Sequence, residues 1–547
     1  MDIFSRNKRD DAHPYIPELK GLYRDGKITR RDFIRNAAIL GMSLSSISAF
    51  LPSGEAKAAN TPTRGGTIRT EYNWIPYVDD PAKDGVGTGY VGLSIAESLI
   101  WTGEDGVPRP QLAKSWQASE DAKEWTLHLQ EGVKFNNGKS FNADDVVWNF
   151  SHWLDKDVGS SMASRLGFLP STGVEKVDSH TVKLHLDRPY FAFPLALYDY
   201  PSMIAPEGGW EDFYKGDAEH AVGTGPFLME SFTPDERMVL VANKNYWRKG
   251  VDGKSLPYVD KVIVTAGWDD ASRLAALVGD QADLLSPAEG VVPQLEKHAD
   301  QIDITGYTTG WISPVVMRTD TPPFDDVRVR KALKLIQDRE RIRDLVMPMG
   351  KVGYDHWIPS DNASYCPDTD VDRRQDIEKA RALLPEAGYP NGIEIELASA
   401  DGPAHRPLFA QVLKEMAAPA GIKIDIKVLP SSAFWDQWMK WPLSISGWNG
   451  RMPATVSLSL ALQCGGDWNE SYFCNSEFDA LVAEAEGTVD VDERRQLFCK
   501  IQSIMQEESG YMIPFWNVSY RASRKRLHMP SDWSRGGALW HEMWLSS

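Results

Sequence analysis

Two short runs of alternating apolar residues, Ile393-Glu394-Ile395-Glu396-Leu397 and Ile422 to Val428, flank a stretch with helical spacing near Leu408 to Ala418. Strand, helix and strand in that order make a βαβ-like unit, which points to a mixed α/β fold. A further helical pattern, Asp492 to Glu507, places Leu497, Ile501 and Ile504 on one stripe. A chain of 547 residues is too long for a single core, so these elements belong to one of two or more lobes.

Charge removes several classes of partner. The formal net charge is −18, and no basic tract follows the first 60 residues, so nucleic acid and anionic membrane surfaces are excluded as partners. Twenty Trp and 18 Tyr are a surplus that hints at clefts gripping ligands by stacking. The four cysteines contain no CxxC pair, which argues against structural zinc, and the scattered histidines form no metal-spaced cluster. Cys464 and Cys474 bracket a short loop and suit a disulfide in an oxidising compartment. No HExxH or GxSxG motif is present, so the expectation is a protein that is not an enzyme and carries no cofactor. Gly87 to Gly92 matches GxGxxG, but it follows a polar loop where a nucleotide site requires a strand. Tyr90 to Trp101 reads instead as a packing helix with Val91, Ile95 and Leu99 inward.

Residues 1–59 read as an export signal and not as structure. Thr29-Arg30-Arg31-Asp32-Phe33-Ile34-Arg35, the mildly apolar run Ala37 to Leu51 and then Ala56-Lys57-Ala58 resemble a twin-arginine (Tat) signal cut near Ala58/Ala59. An apolar run of about 15 residues falls short of the ~20 that span a bilayer. The expected location is periplasmic.

Ser446-Gly447-Trp448-Asn449-Gly450-Arg451-Met452-Pro453 follows the apolar run Leu443 to Ile445 and suits a strand end opening into a tight loop. Such a loop presents a flat π face, Trp448, and a planar cation, Arg451, able to fork onto a carboxylate or phosphate. The other reading is a core Trp and a surface Arg.

A specific resemblance comes from Pro110-Gln111-Leu112-Ala113-Lys114-Ser115-Trp116, Trp125 to Phe135, Asn137-Gly138 and Phe141 to Val147. It continues through Val222 to Phe227, Asn245-Tyr246-Trp247, Tyr258 to Val262, Pro322 to Leu333 and Phe478 to Leu481. Together these resemble the family 5 solute-binding proteins of peptide-type ABC importers. The resemblance implies a two-lobed α/β periplasmic-binding-protein (Venus flytrap) fold with an extra subdomain inserted in the first lobe. Lobe I would take 60–103, the insertion 104–221, then 222–311 and a return over 512–547; lobe II would take 312–511. It further implies a monomer whose lobes close over a solute and hand it to permease subunits. In peptide binders of the family an Asp three residues after the loop Trp pairs with the peptide's amino group. Here that position is Arg451, which repels an ammonium and favours an anionic or N-blocked solute. The ordinary di- or oligopeptide receptor stays open as an alternative, and an extracytoplasmic hydrolase as one of another class. The implied ligand contacts are Trp448, Arg451, Trp74, Asn449, Trp468 and Asn469. His356-Trp357 reads as hinge or lobe packing, and Asp80 and Asp326 as caps.

Overall fold

Strands Ile393–Ala400 and Ile422–Leu429 pair in parallel along their whole length, Ile393 against Ile422 through Ala400 against Leu429. Parallel neighbours need a crossover, and helix His405–Ala417 supplies it. Its inward residues Phe409, Ala410 and Leu413 are fully buried with Leu397, Ile424 and Ile445. In this computed structural model the described residues are 13–51 and 61–546, apart from 73, 84–87, 104, 309, 361, 363, 372, 451, 452, 467 and 531–539.

The chain divides into two compact units. One runs to Thr305 and resumes at Tyr520; the other is Gly306–Ser519. The second unit is built on a five-stranded sheet in the order Ile422–Leu429, Ile393–Ala400, Leu443–Ile445, Val315–Met317, Tyr511–Met512. Strand Leu443–Ile445 runs parallel to Ile393–Ala400 on the side away from Ile422–Leu429, and antiparallel to Val315–Met317. The chain therefore leaves Ile393–Ala400 towards one edge and comes back on its other side. The carboxyl ends of two strands at such a reversal are where α/β sheets place ligands.

The first unit carries a seven-stranded sheet. Its middle pairs Thr67–Tyr72 in parallel with Lys261–Ala266, which lies antiparallel to Arg237–Ala242. A separate four-stranded sheet orders Ala113–Ala118, Glu124–Leu129, Thr181–His185 and Val174–Asp178. Trp125, Leu127 and Leu129 point inward from it. Asn142 and Asp145 close a capping box on helix Ala143–Leu154, burying Val146 and Phe150 while Val147 stays half-exposed. Asp326 caps Val327–Leu335, and Asp80 accepts from Ala82 N–H and lies 2.7 Å from His152 Nε2.

Two expectations are corrected. The helix expected over Tyr90 to Trp101 is only Thr88–Gly92. Beyond it the backbone pairs elsewhere: Ser94 and Ile95 carbonyls accept from Phe227 and Gly225 N–H. Ile95 and Leu99 are buried as expected, without helical geometry. The stretch expected to lack structure holds three helices, Ile16–Arg24, Arg30–Ile39 and Leu44–Phe50. The middle one forms because Thr29 and Asp32 cap it reciprocally and Phe33, Ala37 and Ile39 have a core to enter. Ala56 to Ala59, where the cut is expected, lie outside the described residues. Among the described residues no helix is long and apolar enough to cross a membrane.

Cys464 and Cys474 are joined, closing the loop that carries Trp468, Asn469 and Glu470. Cys366 and Cys499 form a second disulfide across a separation of 133 residues, onto helix Val491–Glu508. Gln502 of that helix reinforces the junction, accepting from Cys366 N–H and donating to its carbonyl, both at 2.9 Å. In the chain-entropy model a cross-link over more than 100 residues contributes about 4–5 kcal/mol, and one over about 10 residues about 3 kcal/mol. Cys366→Ala with Cys499→Ala is therefore expected to lower the urea midpoint more than Cys464→Ala with Cys474→Ala. Equal midpoints for the two double variants would contradict this ranking.

Candidate functional site

Strand Leu443–Ile445 opens into Ser446-Gly447-Trp448 beside the start of helix His405–Ala417. Trp448 is pinned by its backbone: its N–H donates to Ile312 O at 3.0 Å and its carbonyl accepts from Ile312 N–H at 2.9 Å. Its ring is buried, with Trp357 at 4.8 Å, Trp468 at 6.0 Å and Trp438 at 6.1 Å between centroids. A buried indole N–H needs an acceptor. The indoles of Trp448 and Trp438 donate to the two carboxylate oxygens of Glu470, each at 2.5 Å. Glu470 is 2% exposed. Burial pushes its carboxyl up to about 7, against the pull of the indole donors and of Arg406.

Gly447 is small for a spatial reason: a Cβ there would sit 2.0 Å from Nη2 of Arg406. The Arg406 side chain thus lies directly against the loop. It is 5% exposed, its Nη1 donates to Gly402 O at 3.3 Å, and its guanidinium lies over the Trp435 ring at 5.4 Å. Its buried Nε–H has no hydrogen-bond partner among the described residues. Among the described residues no carboxylate stands within ion-pair distance of it, although Glu470 is near enough to act on it through space. Burial lowers its pKa to about 10, so it stays cationic at neutral pH. His405 is lowered to about 3, first by burial and then by Arg406, so it is neutral; its Nε2 lies 2.7 Å from Ser313 Oγ. A desolvated guanidinium with no carboxylate at ion-pair distance among the described residues is costly alone and suited to receiving an anion.

The sequence candidates fall in different places. Trp448 and Trp468 share the aromatic cluster, Trp448 buried and Trp468 half-buried. Asn449 is exposed on the same loop. Asn469 is turned into its own loop, donating to Gln463 O and Phe473 O and accepting from Ser471 Oγ. Trp74 belongs to the other unit and is 54% exposed. Arg451 lies outside the described residues. Trp357 packs in the core against Trp448 and Tyr511. Among the described residues no group of His, Cys, Asp or Glu is placed to hold a metal ion.

The family model of the bacterial extracellular solute-binding proteins, family 5, middle part, matches residues 107–470, more than half of the chain. The chain belongs to family 5 of the bacterial extracellular solute-binding proteins. Among its relatives, the heme-binding protein A of Haemophilus influenzae is 30% identical, covering 76% of this chain and 80% of the relative. The dipeptide-binding protein of Escherichia coli is 28% identical over 76% of this chain and 82% of its own. A solved structure of AgaA from A. tumefaciens R10 in complex with agropinic acid superposes with a TM-score of 0.76 at 24% identity, covering 88% of this chain and 99% of that one. The fold is thus the two-lobed periplasmic-binding type, and this family 5 protein is a substrate-binding protein, not an enzyme. Proteins of the family work outside the cytoplasm.

Arg406, Glu470, Trp435 and Trp438 were not among the sequence candidates. Arg406 hides because the helix was placed from Leu408; an Arg between a buried strand and its crossover helix is the signal that points to it. For Glu470 no local pattern exists, since only the fold brings Trp438 and Trp448 onto it.

Glu470 makes stability depend on pH with a definite sign. The folded carboxyl keeps its proton up to about 7, whereas its ordinary value is 4.5, so between these the folded state binds more protons. Stability contributed by the protonated group is present at low pH and falls as pH rises through that window, by on the order of 3 kcal/mol. Urea melts at about pH 4.5 and about pH 7.5 should show that loss in the wild type and a smaller one in Glu470→Gln. The same loss in both chains would rule Glu470 out as its source.

Proposed function

We propose that this family 5 protein captures a solute bearing a carboxylate or similar anionic group and lacking a free amino group at the Gly447 loop, for delivery to permease subunits of an ABC importer. The observation that carries this reading is Arg406: a buried guanidinium against Gly447, with Trp435 on its face and an unpartnered Nε–H. It sits where the sheet reverses direction, at the carboxyl ends of Ile393–Ala400 and Leu443–Ile445. Arg451, three residues after Trp448, adds a second positive charge to the same loop in the sequence. Glu470 does not offset this as an ammonium site below neutral pH, because burial keeps a proton on its carboxyl up to about 7. The complex of the structural neighbour AgaA with agropinic acid is in keeping with a non-peptide ligand. The relatives named for dipeptides keep a peptide ligand as the second reading.

The export route belongs to the same reading. We take Thr29 to Arg35 as a twin-arginine signal, cut near Ala58/Ala59 to release a periplasmic monomer.

A thermal-shift panel on refolded protein separates the readings: free-amino di- and tripeptides beside N-acylated peptides, sugar acids and amino acid–sugar conjugates. A ligand at about 100 times its Kd adds about 2.7 kcal/mol. Stabilisation by the anionic, N-blocked compounds is expected. Arg406→Ala should weaken their binding ~10- to 100-fold, since hydrogen bonds to charged groups contribute roughly 1.5–3 kcal/mol. Stabilisation by free-amino peptides that persists in Arg406→Ala would leave the peptide reading in its place.

A further inference from the structure

Solute binding makes no use of the N-terminal helices, yet they are built into the first unit. Phe33 is fully buried among them, stacked on Tyr23 at 5.1 Å and tilted against Phe50 at 5.1 Å. The middle helix, Arg30–Ile39, then meets a surface beyond this small core. The last carbonyls of a helix have no partner within it. Here Trp116, on strand Ala113–Ala118, donates its indole N–H to Ala38 O at 3.1 Å and Ile39 O at 3.0 Å. Arg35 donates from Nε at 3.1 Å and Nη2 at 2.6 Å to the carbonyl of Asp105. Gly41 closes the junction with φ at +86°, and a Cβ on it would lie 2.3 Å from Trp116 O. Both the indole and the arginine are at least nine-tenths buried.

The two ends of the motif are treated oppositely. Ala37, Ala38, Ile39 and Leu40, which begin the apolar run, are buried, whereas Arg30 and Arg31 are exposed. We infer that residues 13–51 are a docking module that seats the apolar run on the strand carrying Trp116 while holding the arginine pair outward. Docking sets an order of events: the arginines are readable on the folded protein, and the apolar run reaches a lipid surface only after it leaves Trp116 and Asp105. This rests on the export-signal reading given above.

The test uses the full chain, purified from cytoplasm with its N-terminal segment in place, as wild type, Gly41→Val and Arg35→Ala. Gly41→Val strains the backbone and collides with the Trp116 carbonyl on the edge strand Ala113–Ala118, so the controls are the strands beyond it. Amide hydrogen exchange over 33–40 is expected to be at least ~tenfold faster in Gly41→Val than in the wild type, with strands Glu124–Leu129 and Thr181–His185 unchanged. Vesicles of phosphatidylethanolamine and phosphatidylglycerol should retain the variant and leave the wild type in solution. If the control strands also exchange faster, the smaller change Arg35→Ala decides the comparison. Wild-type exchange over 33–40 as fast as in the variant, or equal retention by vesicles, would overturn the docking. Lysine at both Arg30 and Arg31 tests the signal separately: export unchanged by that replacement refutes the export reading whatever the exchange data show.

Discussion

Parallel strands cannot be joined by a hairpin, and most of what this protein does at its candidate site follows from that. Ile393–Ala400 and Ile422–Leu429 require the crossover helix His405–Ala417, and the chain then brings Leu443–Ile445 to the opposite flank. The first turn of the helix and the loop after the returning strand then have to meet over the strand ends. Arg406 and Gly447 are the residues at that meeting, packed so closely that a Cβ on Gly447 would make the guanidinium shift. The contact between a guanidinium and a bare α-carbon is a product of topology, and the chemistry of the loop is arranged around it.

That topology was legible because it is written in local periodicity. Alternation at Ile393, Ile395, Leu397 and helical spacing near Leu408 to Ala418 need no tertiary information, and neither does the Asp326 cap. Misreadings occurred where non-local pairing overrode local pattern. Val91, Ile95 and Leu99 have helical spacing, yet Ser94 and Ile95 pair with Phe227 and Gly225, and the helix stops at Gly92. The disulfide of Cys366 with Cys499 is invisible for the same reason, whereas Cys464 and Cys474 announce themselves by lying 10 residues apart. Trp448 was singled out because Gly, Trp and Pro punctuate a loop, and its ring lies in the aromatic core that the loop joins. Glu470 was missed because a carboxylate in a polar loop gives no sign that two indoles will enclose it.

Arg406 and Glu470, both buried in the second unit, are kept apart, and the reason bears on what the site can accept. A buried Arg and Glu normally repay their desolvation by pairing. Here the oxygens of Glu470 are held by Trp438 and Trp448, so its geometry is fixed by the aromatic cluster and not by Arg406. Its carboxyl keeps a proton up to about 7, and a protonated carboxyl supplies no counter-charge. Arg406 is therefore left with a carbonyl, a ring face and a free donor, each of which tolerates the cation without neutralising it. A ligand anion that reaches the guanidinium meets a charge already stripped of water, so the desolvation was met when the protein folded and does not have to be met again on binding. An ammonium at the same point would face that cation beside a carboxyl that keeps its proton up to about 7.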